Sequence, residues 1–504
     1  MVDHGVITRF GEARSMCTPK HRTYGYRVAA VASVAAGSYG KQMAKRSISS
    51  AYPLRRLVVG NALEWNQQSE RRDLPGNRLP AQNRPYPDDD MTLFWSGDNK
   101  VVITQNPLDA RHVDDCCAVL NYQNVASFAP SYALGNHSIC EAITMDERSI
   151  HEIAEYIDSF SDGGRILIEG YGATVEYARL VAALGPRIRA VLDDSMTRQR
   201  NLELISCLDS KIRVREFFAA ALHATRRVRL TRAFTVRAES DLLEYVRGAF
   251  LTLGPVMIKT EYGFGGHGMM AVEDIGSIAG QIADFISMQS YSDLLIEEHV
   301  GPGDDVIPIC FTGVVGPSGE VANSSVGREL QYSVRYYAGA IIGNESLPPE
   351  FADSARGAGE AVGAIMSHFG YRGSFTLDLL GRKDDASIVL LEVNPRRALP
   401  STLGDMCLQL FGPGYEGRVS ALARRWIPVH RSIADYPKLR DFLVARRLFG
   451  AQGEDLVILP YSISSLSAES AKPAVGVAVM GPGRDAIESA MEEIKQYLAE
   501  GSKS

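Results

Sequence analysis

Lys259 ends the apolar run Val256-Met257-Ile258 and precedes glycines at 263, 265, 266 and 268. The pattern predicts a strand that delivers an ammonium group, then a loop with few side chains whose backbone N–H groups can close on an anion. It is not a Walker A loop, because the lysine comes before the glycines and no Gly-Lys-Ser/Thr closes it. Nor does its spacing match a dinucleotide-binding turn. Alone, it fits a glycine-rich hairpin tip as well as a phosphate-binding loop. Three more runs carry chemistry. Leu294–Val300 (LLIEEHV) ends a strand in Glu297 and Glu298, before a Gly301-Pro302-Gly303 break. Phe375–Leu380 (FTLDLL) sets Asp378 inside an apolar strand, and Ile388–Arg396 (IVLLEVNPR) sets Glu392, Asn394 and Arg396 at the end of another. A carboxylate in such a place is costly unless paired. On neighbouring strands, Asp378, Glu392 and the Asn394 amide would form an all-oxygen cluster suited to Mg²⁺ bridging nucleotide phosphates. The plainer alternative pairs a buried carboxylate with Arg396 or Arg372.

With these residues in this order, roughly residues 195–410 resemble the ATP-grasp superfamily. The resemblance implies ATP and Mg²⁺ as cofactors, with two ions and Mn²⁺ as a substitute. It makes Lys211, in Asp209-Ser210-Lys211, the first nucleotide lysine and Lys259 the second. Gly263, Gly265, Gly266 and Gly268 become the lid loop over the phosphates. Glu297, Glu298 and Val300 become the adenine hinge, and Asp304 the ribose ligand with Asp305 as substitute. Asp378, Glu392 and Asn394 become the metal ligands. Arg396 would hold the reacting carboxylate, with Arg397 as substitute. Arg328 and Arg335 fall where the superfamily positions its carboxylate substrate, although solvated arginines fit there equally. Lys259, Arg396 and Arg335 are thus the candidate catalytic residues. His267 receives no chemistry.

The elements that must position these groups follow from the rest of the chain. At 504 residues it calls for three or four structural units. The hydrophobic fraction of 45% is that of a soluble globular protein, and no apolar stretch is long enough to span a bilayer. A net charge of −7 gives no reason to expect nucleic acid or an acidic membrane as partner. Seven cysteines without a C-x-x-C pair fit reduced thiols in the cytoplasm and offer no zinc site.

Residues 1–52 are basic and rich in Ser and Ala, with Asp3 and Glu12 the only acids. They read as a disordered extension with Met43 as a candidate start, export being the minority reading. Residues 53–194 alternate strand and helix and predict a small parallel α/β domain. Expected within it are a loop over Gln67–Asp90, strands Thr92–Trp95 and Val101–Thr104, and a capping box at Thr144-x-x-Glu147. The Gly170-x-Gly172 turn is read as a tight βα turn rather than a ligand loop. Residues 195–300 form the expected lid subdomain, with a helix opened by Lys211. Residues 301–430 form the metal and substrate subdomain, with a loop from Arg328 to Pro349, and 431–504 a C-terminal α+β module.

The expected fold class is therefore α/β and α+β: a pre-ATP-grasp α/β domain, a two-subdomain ATP-grasp fold and a small C-terminal module. This order is similar to that of peptide ligases of the pheganomycin type. It implies an ADP-forming carboxylate–amine ligase acting through an acyl phosphate, with small-molecule carboxylate and amine or peptide substrates. Two alternatives stay open, a carboxylase or purine-pathway enzyme and a non-catalytic ATP-binding module. The acid, the amine and the oligomeric state are not readable, a homodimer being one option.

Overall fold

The computed structural model describes residues 55–66 and 89–501, apart from short stretches at 131–137, 162–163, 190, 194–198, 223–227, 238–240, 264–267, 277, 289–292, 301–304, 334–335, 453–455, 468–469 and 471. The extension 1–52, most of the Gln67–Asp90 segment, Gly265, Gly266, His267, Asp304 and Arg335 lie outside the described residues.

Short apolar runs alternating with helices build a parallel sheet in the N-terminal part. Strands β1 (Arg55–Val59), β2 (Lys100–Ile103), β3 (Val125–Phe128), β4 (Arg165–Gly170) and β5 (Val191–Asp193) lie in the order β3-β2-β1-β4-β5, each pair parallel. The winding direction reverses between β1 and β4, so the crevice beyond their carboxyl ends is the place where open α/β sheets take ligands. Asn61 ties that crevice together: its amide donates to Gly172 O at 2.8 Å and accepts from Tyr171 N at 2.8 Å. A Cβ on Gly172 would lie 2.3 Å from the Trp65 ring, so close packing explains the Gly170-x-Gly172 turn.

Next come β6 (Val228–Leu230), β7 (Ala233–Arg237), β8 (Val256–Thr260), β9 (Met269–Val272) and β10 (Asp293–Glu298). Strands β7-β10-β8-β9 form an antiparallel sheet. Alternation sorts its two faces. Ile258, Leu294 and Ile296 pack with Val246 and Ile282 of the helices Leu242–Leu253 and Ile278–Met288. Lys259, Leu295 and Glu297 point the other way.

The remaining strands are β11 (Val306–Val315), β12 (Val321–Ser333), β13 (Tyr336–Gly343), β14 (Gly373–Arg382), β15 (Ile388–Asn394), β16 (Ser420–Pro428), β17 (Gly450–Gln452), β18 (Leu456–Ser462) and β19 (Ala474–Gly481). With β6 they make one ten-stranded sheet in the order β17-β18-β19-β16-β13-β12-β11-β14-β15-β6. Helix Pro349–His368 covers the Phe311 face, and helix Leu399–Phe411 packs with the same core. The strands of residues 431–504 thus extend the sheet that holds Asp378 and Glu392. Their helices Tyr436–Ala445 and Arg484–Glu500 share a second core with Leu422, Val477 and Val479.

Several local expectations are corrected. Thr92–Trp95 is no strand; Asp89–Phe94 is a 3₁₀ turn. Leu93, Phe94 and Trp95 are buried, and Asp90 accepts from the Ile463 and Ser464 backbone N–H groups at 2.6 Å each. A short apolar run buried all round has no period to separate strand from turn. The Thr144 capping box does not form. Thr144 ends the preceding helix, donating to Cys140 O at 2.6 Å, while Asp146 accepts from Ser149 N. The Lys211 helix begins at Arg213, whose N–H donates to Ser210 Oγ at 3.1 Å. The expected Arg328–Pro349 loop is mostly the paired strands β12 and β13, and the Ala110–Leu120 helix was not foreseen.

Gly359 lies on Pro349–His368 where a Cβ would meet the Phe311 ring at 2.3 Å, whereas Gly357 of the same helix has nothing within 4 Å. Gly359→Ala should therefore destabilise by about 1–2 kcal/mol through overpacking. Gly357→Ala should stabilise by about 0.5–1 kcal/mol through helix propensity. Urea midpoints of both variants check the pair.

Candidate active site

Two lysines are buried, Lys211 at 3% and Lys259 at 4% exposure. Burying an ammonium is costly unless a partner charge comes with it. Lys259 Nζ lies 2.5 Å from Glu297 Oε1. The other oxygen of Glu297 accepts from Thr231 Oγ1 at 2.6 Å and faces Arg215 Nη1 at 3.3 Å. Lys211 Nζ lies 3.2 Å from Glu392 Oε1 and donates to Gly263 O at 2.9 Å. Its backbone N–H donates to Glu261 O at 2.9 Å. Lys211 therefore joins the base of the lid loop to a strand of the large sheet.

Gly268 is pinned against Thr260 where β9 begins. Gly268 has φ +72°, its carbonyl accepts from Thr260 N at 2.8 Å, and a Cβ there would lie 2.2 Å from Thr260 Oγ1. Glu298 pairs with Arg229 and, at 2.7 Å, with Arg232. Burial alone would raise its carboxyl, but these two arginines outweigh it and hold the group below the usual range. Val300 follows, its N–H donating to Glu298 O at 3.1 Å.

On the large sheet Asp378 and Glu392 sit directly opposite each other, as do Thr376 and Asn394. A β-bulge follows Asp378, a device that re-aims side chains beside functional sites. Asn394 Nδ2 donates to Asp378 Oδ1 at 3.1 Å, and its Oδ1 accepts from Arg396 Nη2 at 2.8 Å. Arg396 also donates to the Tyr171 hydroxyl at 2.8 Å, across to the crevice of the parallel sheet. Burial, and then the charge of Glu392, push the Asp378 carboxyl up to about 6. This oxygen-only set, with two carboxylates raising each other's cost, is chemistry that a hard cation satisfies.

Of the residues singled out in the sequence, Lys211 meets Gly263 and Glu392; Asp378, Asn394 and Arg396 form a chain beside Glu392; and Lys259 and Glu297 form a pair of their own. Other residues lie in different places. Arg397 is no spare substrate arginine: it is bound to Asp405 at 2.7 Å and to Ser96 Oγ at 2.7 Å, with Glu169 at 3.5 Å. It fastens the parallel sheet to helix Leu399–Phe411. Arg328 is exposed and, by register with Ile309, faces away from Asp378. Three groups escaped the sequence reading. Tyr171 receives Arg396, Thr231 holds Glu297, and Glu329 shares a face with Asp378. Only the alternation Gly327, Glu329, Gln331 carried a signal for the last. Beside β14, Thr312, Ser324, Ser374, Arg397, Ser401 and Asp405 line a polar cavity of about 220 Å³.

The Asp378 carboxyl titrates higher folded than unfolded, so its contribution to stability is full below about pH 4 and is lost as pH rises through about 6. Asp378→Asn should therefore stabilise the metal-free protein at pH 8 by about 1–2 kcal/mol, the gain vanishing toward pH 4. Denaturant midpoints at several pH values measure it.

No known family profile matches the sequence, and no curated protein matches it. Solved structures do. The chain is similar to a biotin carboxylase–β,γ-ATP complex from Campylobacter jejuni, with TM-score 0.51 and 12% identity over 88% of this chain and 90% of that one. It is similar to an N5-carboxyaminoimidazole synthase from Aspergillus clavatus in complex with ADP and 5-aminoimidazole ribonucleotide, with TM-score 0.50 and 11% identity over 88% and 99%. A third likeness is to the biotin carboxylase domain of the Hydrogenobacter thermophilus 2-oxoglutarate carboxylase, in complex with MgADP, ADP and bicarbonate. Its TM-score is 0.50 at 13% identity, over 88% and 90%. Among the described residues no helix is long and apolar enough to cross a membrane. The parallel sheet, lid and large sheet together have the ATP-grasp fold.

Proposed function

We propose that this chain is an ATP-dependent, ADP-forming carboxylate–amine ligase that joins amino acids, or an amino-acid-like acid, to a peptide. The observation that supports the reading is the buried Lys211–Glu392 pair beside Asp378, Asn394 and Arg396, with a second buried pair, Lys259–Glu297, on the four-stranded sheet. ATP would lie there with its adenine along the Glu297–Val300 segment and its phosphates under the lid loop. Gly265, Gly266 and Asp304 belong to this proposal although they lie outside the described residues. Lys211 and Lys259 would exchange their carboxylate partners for phosphate oxygens. Asp378, Glu392 and Asn394 would hold Mg²⁺, which supplies charge neutralisation at the β- and γ-phosphates when bound.

Arg396, fixed by Asn394 and Tyr171, would orient the substrate carboxylate, with Arg335 as a second anchor. A carboxylate oxygen bonds to the γ-phosphorus as the bridging bond to ADP breaks, giving an acyl phosphate. The amine nitrogen then bonds to the carbonyl carbon, the C–O bond to phosphate breaks and the nitrogen gives up its proton. Closure of the lid keeps water from the acyl phosphate. The setting fits specialised peptide metabolism in the cytoplasm, the role of the pheganomycin-type ligases whose domain order this chain resembles. A second reading, carboxylation, draws on the N5-carboxyaminoimidazole synthase and biotin carboxylase folds. Bicarbonate therefore belongs among the acids tested.

The experiment is ADP release with Mg-ATP against acids, including bicarbonate, and amines, singly and in pairs. Turnover should need both an acid and an amine, with hydroxylamine trapping a hydroxamate from the acid alone. Glu392→Ala should lower turnover about 10²–10³-fold, roughly the worth of a lost charge-stabilising group, with nucleotide binding weakened but still measurable. No ADP release with any acid would contradict the reading.

A further inference from the structure

The large sheet carries a carboxylate that the reaction above does not use. Cys310 pairs with Asp378 on one side and with Gly327 on the other, so all three share a face with Glu392. Glu329, two residues beyond Gly327 on β12, lies on the same face. It is partly buried, and among the described residues it has no hydrogen-bond or ion-pair partner.

A second group joins it through an irregularity of the strands. Glu329 lies opposite Ala340 on β13, but register shifts after Leu330 place Tyr337 opposite Gln331. The extra residue turns Tyr337 onto the face of Glu329 and Gln331. Its hydroxyl is buried and has no partner among the described residues. Burial and the nearby Glu329 charge both push that phenol up. Along the sheet, Arg396 and its acceptor Tyr171 lie on the β15 side of Asp378 and Glu392, and Glu329 with the Tyr337 hydroxyl lies on the β12 side, Arg425 standing over the Tyr337 ring at 6.0 Å.

We propose that Glu329, with the Tyr337 hydroxyl, binds the ammonium group of the second substrate, making that substrate a primary amine such as the α-amino end of an amino acid or peptide. This rests on the ligase reading and gives it a direction: acid from the Arg396 side, amine from the Glu329 side. Burial, and then the charges of Asp378 and Glu392, push the Glu329 carboxyl well up, so an arriving ammonium supplies the countercharge it lacks, whereas a second carboxylate would be repelled. The ammonium would satisfy both the carboxylate and the orphan hydroxyl.

The test titrates the twenty common amino-acid amides, which carry a free amine and no carboxylate, into the Mg-ADP-loaded protein. The wild type should bind at least one of them and reject its N-acetyl derivative. Glu329→Gln, equal in size, should weaken that amide about ten-fold or more, as loss of a charge-assisted hydrogen bond predicts. Tyr337→Phe should weaken it a few-fold, and Glu329→Asp should retain part of the affinity. Mg-ADP affinity should be the same in all, which also reports folding. Equal amide binding by wild type and Glu329→Gln, equal binding of the N-acetyl forms, or no amide bound by wild type would overturn the proposal. So would a parallel loss of Mg-ADP affinity, which would place Glu329 with the metal. Failure of the ligase reading shows separately, as absent acid-dependent ADP release.

Discussion

The site depends on the cost of burying two ammonium groups. Lys211 and Lys259 are each nearly inaccessible, and each is tolerable only because one carboxylate meets it. Those carboxylates come from different sheets, Glu297 from β10 of the lid and Glu392 from β15 of the large sheet. The pairings therefore set how the lid, the Lys211 turn and the metal strands must sit together. Glu297 needs Thr231 and Arg215 to complete its own bonds. Glu392 raises the cost of Asp378 in turn. A polyanion with its cations would relieve both strains, letting phosphate take the lysines and metal take the carboxylates.

The parallel sheet contributes by its ends. Its crevice between β1 and β4 faces the end of β15, and two adjacent arginines there do different work. Arg397 is spent on Asp405, Ser96 and Glu169, locking the N-terminal part to helix Leu399–Phe411. Arg396, anchored by Asn394 and Tyr171, keeps its Nε without an acceptor among the described residues. An arginine with an unused N–H beside one bound by carboxylates is what separates a group able to take a ligand from a structural clamp.

Much of this was legible because it is local. The apolar runs LLIEE and FTLDLL marked Glu297 at the end of one strand and Asp378 inside another as carboxylates in need of partners, and the lysine before the glycines marked the loop after it. What was not legible is long-range. The partner of Lys211 lies on β15, far along the chain, and the Asp90 contacts that make Thr92–Trp95 a turn reach Ile463 and Ser464. The step of register that puts Tyr337 beside Glu329 depends on how β12 and β13 pair. The identity of Arg397 as a clamp required its neighbours from the N-terminal part, which its place after Asn394 could not disclose.

Under the proposed function, the paired lysines and carboxylates bind a metal nucleotide. Calorimetric titration of ATP, with and without Mg²⁺, into wild type and Lys211→Met tests it most directly. The account predicts binding that needs Mg²⁺ and weakens about ten-fold or more in the variant, the worth of one charge-assisted contact. Absence of ATP binding to the wild type, or binding indifferent to both Mg²⁺ and Lys211, would contradict it.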